Sequence, residues 1–362
     1  MISTLGRPLE SKSGSRFAAQ SIALALVGLL CISSLGATTS FDRFVMKYGN
    51  PVRVYVVVEN DQGIFNPTTL ASVLAIGEQL AGIAGVESVD TPLNAQVVRA
   101  TPTTLAVAPA AAREEVPSTA AGMTMLSHAL LSSPFHCGIA AAQDGTACAI
   151  LVTLARDADC SLIASRAEEI VDPFRDERDM FHIYSDAGLA DGPVVAGAVN
   201  ILDRSFAGSV RLLVEIDTGT RNGMKSLGTL DGIVQLEELL YDHGARRVIS
   251  LATLVREMNR AFHGLNPAQY VLPASEQMVS QLLLLYAFQG GLVGPLSMAD
   301  DSSGTLVGYF TPTSEDPSDV AALELELTVA VQDLSPTVFD PQVEVAVLGV
   351  LHTTPIRTSD SP

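Results

Sequence analysis

Apolar positions along this chain change their spacing several times, and each change marks an element. Residues 52–58 read VRVYVVV, a β-branched and aromatic run that predicts a buried strand. Asn66-Pro67 then offers an N-cap followed by a proline at the first helical position. Leu70, Val73, Leu74, Gly77 and Leu80 recur at helical spacing, so one face of a helix packs on a sheet. Gly82 and Gly85 are placed to end that helix, and residues 86–89 start the next strand.

Further on, residues 100–121 are rich in Ala, Pro and Thr and lack periodicity, which predicts a loop or arm. Residues 123–131 predict a short helix. Residues 138–142, a turn at Asp144-Gly145 and a strand over 147–154 predict a hairpin. Asp159 is placed to cap a helix running to about Val171, and residues 194–200 predict a closing strand.

The order then repeats. Residues 210–216 predict a strand, Leu230, Ile233, Val234 and Leu240 line one helix face, and Gly244 ends it. A strand over 248–251 follows, then helices over 254–262 and 275–288. A turn at Ser303-Gly304, a strand over 305–310, a helix over 317–334 and a strand over 343–350 complete the pattern. Val52 falls on Val210, Leu70 on Leu230, Val89 on Val248, and Asp144-Gly145-Thr146 on Ser303-Gly304-Thr305. So constant an offset predicts duplication of a whole α+β unit. Strands separated by helices, with a hairpin in the middle, form the split βαβ or ferredoxin-like pattern.

Composition narrows the function. Of 362 residues, 48% are hydrophobic, which excludes a disordered or fibrous chain. The formal charge is -19 and the lysines are Lys12, Lys47 and Lys225, so a nucleic-acid polyanion is not the expected partner. Residues 17–37, FAAQSIALALVGLLCISSLGA, carry no charge and follow Arg7, Lys12 and Arg16. They read as a membrane anchor with a cytoplasmic tail over 1–16 and the remainder translocated. A cleaved signal peptide is the alternative, because Ser34-Leu35-Gly36 places small residues where cleavage occurs.

Candidate chemistry is sparse. His128, His136, His182, His243, His263 and His352 lack the spacing of a helical metal pair, and no nucleophile elbow or phosphate loop is present. Neither a cofactor, a metal nor a catalytic residue is expected. Asp157 with Asp159, and Asp300 with Asp301, read as turn and cap residues. Gly290, Gly291 and Gly294 follow a helix, whose C-terminus has the wrong dipole for an anion, so they read as a cap and a turn. If the chain is extracytoplasmic, Cys148 can bridge to Cys137 or Cys160; alternatively all three are small buried side chains. Met258, Phe262, Tyr270, Met278, Leu282 and Tyr286 are either the lining of a cleft between the units, where an acyl chain lies, or core beneath the sheet.

Two sets of phrases carry a resemblance. In the first unit these are LLSSPFHCGIAAAQDGTACAILVTLA from Leu130 and VENDQGIFNPTTLASVLAIGEQLAGIAGVESVDT from Val58. In the second they are IDTGTRNG, REMNRAFHG and SEQMVSQLLLLYAFQGG. The chain resembles the two large extracytoplasmic loops of RND-superfamily exporters, in the MMPL-like branch. That resemblance implies two porter-type domains over 38–200 and 210–354, a connector over 201–209 and a tail over 355–362. It also implies that residues 17–37 match the first membrane helix of such an exporter. The departure is equally plain: a membrane bundle separates the two loops in an exporter, whereas here the first runs directly into the second.

The resemblance therefore implies a protein of the bacterial cytoplasmic membrane, bulk in the periplasm, that binds or passes hydrophobic or lipidic molecules. It would lack proton coupling of its own, because coupling needs ionisable residues buried among membrane helices. Membrane subunits of a transporter are possible partners. A non-transporting binding or scaffold protein, or a remnant that has lost the bundles, is the alternative.

Overall fold

The computed structural model describes residues 40–100, 105–111, 114–175, 178–187, 201–288, 301–313 and 316–355. The chain divides into two units, Met1–Arg43 and Phe44–Pro362, and the account below concerns the second. Helix α1 (Ser40–Tyr48) leads into β1 (Arg53–Glu59), in which Val54, Val56 and Val58 are fully buried. Asn66 caps α2 (Pro67–Ala81): its side-chain oxygen accepts from Thr69 N at 2.9 Å, with proline in the first turn as the sequence predicts. Gly85, at φ +93°, turns the chain into β2 (Val86–Asp90).

The rest of the first half comprises β3 (Gln96–Ala100), β4 (Leu105–Pro109), α3 (Ala120–Leu131), β5 (Ala147–Leu154), α4 (Cys160–Val171) and β6 (Met180–Ala187). A short helix, α5 (Ile201–Ser205), precedes the second half. This contains β7 (Val210–Asp217), α6 (Leu227–Asp242), β8 (Arg247–Ile249), α7 (Leu251–Phe262), α8 (Glu276–Phe288), β9 (Ser303–Phe310), α9 (Pro317–Val338) and β10 (Glu344–Pro355).

Eight strands form one antiparallel sheet in the order β2-β5-β1-β6-β10-β7-β9-β8. From the seam outward, the first half reads β6-β1-β5-β2 and the second β10-β7-β9-β8, so corresponding strands occupy corresponding places. The seam pairs β6 with β10, Asp186 opposite Thr353 and Tyr184 opposite Pro355. Strand alternation sends Val54, Val56 and Val58 to one face, opposite Val152, Ile150 and Cys148. Those side chains join Val73, Ile76 and Leu80 of α2 and Ile163, Ala167 and Val171 of α4 in a buried core. A second cluster packs Val97, Ala110 and Ala111 of the β3–β4 hairpin region against Met123, Leu126 and Leu130 of α3 and Leu70 of α2.

Several expectations are corrected. The stretch over 100–121 is not simply an arm: β4 pairs with β3 from Gln96 opposite Pro109 to Ala100 opposite Leu105, and α3 begins at Ala120. Its small residues give little periodic signal, and the hairpin's hold comes from the second cluster. Residues 138–142 contribute isolated bridges, Cys137 to Ala141 and Ala141 to Cys148, rather than a strand; β5 takes its long partners from β1 and β2. Ser303-Gly304 is not a turn but the start of β9, opposite Asp217 and Ile216. Glu59 faces Ala147 while Asp217 faces Ser303, so Ala147, and not Asp144, corresponds to Ser303. Leu251 opens a helix instead of ending a strand, because Ser250 accepts from Thr253 N and closes a capping box.

The predicted closing strand over 194–200 lies outside the described residues, and the closing place in the first half is taken by β6. The run over 17–37 and glycines 290, 291 and 294 also lie outside them. Among the described residues, no helix is long and apolar enough to cross a membrane. Cys137, Cys148 and Cys160 are free thiols, so of the two alternatives the unbridged one is found. Cys148 is buried in the core with Cys160 packed at its margin, and burial pushes the Cys148 thiol up to about 12 and that of Cys160 to about 11.

Candidate ligand-binding basin

The same alternation that buries Val54 and Val56 under the helices turns Arg53 and Tyr55 to the opposite face of the sheet. Their neighbours there are Thr153 and Leu151 on β5. On the second half the equivalent face carries Arg211, Leu213 and Glu215, opposite Tyr309, Val307 and Thr305. A basin of about 620 Å³ lies on this face. Leu151, Leu213 and Val307 supply apolar lining from the sheet, Phe135 and Ile139 from the segment after α3, and Ile249 and Tyr286 from the second half. Its volume falls in the range of small-molecule sites, and its lining mixes these apolar side chains with many polar ones.

Polar groups in the basin differ sharply in how well they are satisfied. Lys47, at the end of α1, binds Glu215 at 2.8 Å and Asp217 at 3.1 Å. Burial opposes its charge, but the hydrogen bonds to these carboxylates outweigh that cost and hold its pKa above the ordinary value. Tyr48 shares Glu215 and a 2.8 Å hydrogen bond with Ser303, and burial pushes it up to about 12. The His136 ring hydrogen-bonds the Gln96 carbonyl at 2.7 Å through Nε2. A carbonyl only accepts, so Nε2 carries the proton and, in the neutral ring, Nδ1 is left as an acceptor. Burial keeps the His136 pKa below its ordinary value.

At the seam, Asp186 and Arg211 are each 3% exposed and form an ion pair. Asp186 also accepts from Arg53 N at 2.7 Å and from the Thr353 hydroxyl at 2.6 Å. Arg211 donates in addition to the Pro51 carbonyl at 3.0 Å, yet its Nε is buried without a partner. Burial weighs against its charge and Asp186 outweighs burial, so its pKa is raised. The Arg53 side chain has neither an ion pair nor a hydrogen bond among the described residues, and its Nε is likewise buried and unpartnered. Glu87 and Asp90 stand exposed among the lining residues.

Of the six side chains expected from the sequence to line a cleft, Tyr286 does so here. Met258 and Leu282 are buried core instead, Phe262 is 56% exposed, and Tyr270 lies against Arg256 with the guanidinium carbon 5.0 Å from the ring centroid. Met278 is half-buried and does not line the basin. No family model matches this chain, and no curated protein does. The residues that sequence reasoning passed over, Arg53 and Arg211, carry one available signal: an arginine at the start of each repeated strand, VRVYVVV and VRLLVEI. Charged residues in otherwise apolar strands are rarely buried without a purpose.

Proposed function

We propose that this chain is a binding protein for hydrophobic or lipidic small molecules, derived from the porter domains of an RND-superfamily, MMPL-like exporter. The observation that carries the binding reading is the basin, which takes lining residues from both halves. The matching orders β6-β1-β5-β2 and β10-β7-β9-β8 favour two ferredoxin-like units related by duplication. Residues 17–37 would hold the chain on the bacterial cytoplasmic membrane with the bulk in the periplasm. Between the two halves the sequence holds no membrane bundle, so passage of a ligand would draw energy from membrane subunits on other chains. The role is binding, not catalysis.

Native mass spectrometry of the full chain after incubation with a bacterial lipid extract tests this reading. Retained lipid, lost when Leu213 is replaced by Asp on the basin face, is the expected result. A chain that stays bare across several extracts and conditions rules the reading out.

A further inference from the structure

Resting on that binding reading, we infer that the basin selects a single-chain amphiphile with an anionic head, carboxylate or phosphate, and holds the head at Arg53 and Arg211. Both residues line the basin, and both meet around one oxygen: Asp186 Oδ2 accepts from Arg53 N at 2.7 Å and from the Arg211 guanidinium. The carboxylate thus binds the Arg211 side chain but only the backbone N–H of Arg53. It neutralises Arg211, which is 3% exposed, while among the described residues the guanidinium of Arg53 has no counter-charge within ion-pair distance.

The Nε groups of both arginines are buried and unpartnered. A buried N–H without an acceptor is costly, and an arginine fork is matched in geometry by carboxylate or phosphate oxygens. An anion held in the basin beside Arg53 would supply the missing charge, with Arg211 lining the same basin. Leu151 and Leu213 belong to the same sheet face as the two arginines, and Val307 faces Leu213 on the neighbouring strand. An alkyl chain extending from the head would lie over them.

The opposing charges set the specificity. Glu87 and Asp90 are exposed among the lining residues, and the chain as a whole carries -19, so a small free anion gains little from long-range attraction. Binding must come from the head at the arginines combined with burial of the chain. Each methylene buried is worth roughly fourfold in affinity, so chain length is a direct readout.

Calorimetric titration of the full chain, below micelle concentrations, tests the proposal with dodecanoate, octanoate, dodecyl phosphate, dodecanol and inorganic phosphate. Dodecanoate and dodecyl phosphate should bind, dodecanol at least about tenfold more weakly, and octanoate on the order of a hundredfold more weakly than dodecanoate. Arg53→Gln should abolish the preference for a charged head, and Arg53→Lys should keep part of it. Equal affinity for dodecanoate and dodecanol, unchanged in Arg53→Gln, overturns the anionic head while leaving hydrophobic binding intact. Inorganic phosphate binding as tightly as dodecyl phosphate overturns the amphiphile. If no probe binds at all, this inference fails together with the binding reading. Should Arg53→Gln not fold, the comparison of heads on the unaltered protein still decides the matter.

Discussion

The two halves of the sheet place their strands alike but fill the gap between the second and third strands differently. The first half inserts the β3–β4 hairpin and α3, built from small residues; the second inserts α7 and α8. Each half also buries a carboxylate in a local network. In the first half Asp179 accepts from Asn60 Nδ2 and the Thr69 hydroxyl, each at 2.7 Å. In the second, Glu237 of α6 accepts from the Thr253 hydroxyl at 2.7 Å, from Ser250 and from the Arg256 guanidinium. Glu237 thus ties α6 to the first turn of α7, which lets a helical insertion dock where the first half uses a hairpin. The strand order is alike in the two halves, while the insertions differ; α7 packs on β8, β9 and the β3 strand of the other insertion.

The largest effect should come from the buried ion pair that joins the halves. Asp186→Asn leaves Arg211 buried without its counter-ion and should cost about 3–5 kcal/mol, measured as the shift in urea midpoint. If the two halves were independent folding units, unfolding would split into two transitions and only part of the signal would move. One cooperative transition that shifts as a whole is the expected result.

A smaller, one-sided loss should follow Glu237→Gln, on the order of 2 kcal/mol, because Arg256 loses its charged acceptor while Thr253 and Ser250 keep a neutral one. Hydrogen exchange should then accelerate most in α7, and less in β3, which packs against it. Exchange that rises equally in both insertions would show that they are coupled more tightly than their separate networks suggest.

The smallest effect concerns the first half and pH. Burial lowers the pKa of His136 and, against the pull of Glu59, that of His182, from an ordinary 6.5. The folded chain therefore binds fewer protons than the unfolded chain just below that value, and stability falls as pH drops through it. Melting at pH 7.5 and 5.5 should show this loss, and a His136→Gln, His182→Gln variant should show less of it. An identical loss in the variant would assign the dependence to other groups.

How much of this could be read from the chain follows the range of each interaction. The caps at Asn66, Asp159 and Ser250 each bind a backbone N–H three residues on; the first two were legible, and the third was hidden behind apolar neighbours that imitate a strand. Strands β1 and β7 were legible because both faces are buried and the apolar run is continuous. By contrast β6, MFHIYSDA, shows only two strong apolar positions, Phe181 and Ile183, on the helix-packed face. Its other face carries His182, Tyr184 and Asp186, whose value lies in contacts with Glu59, Ile201 and Arg211, far away in sequence. For the six residues read as cleft or core, helical spacing shows that Met258 and Leu282 face something apolar, and burial places those two in core.

By itself the sequence determined the alternation of strands and helices and most helix starts, because these depend on spacing and on bonds a few residues long. Only the tertiary structure decided the pairing of β6 with β10, the register that sets Ala147 against Glu59, and the meeting of Arg53, Arg211 and Asp186. Those depend on which edges come together, and an arginine reads the same in a sequence whether its counter-ion is present, shared or missing.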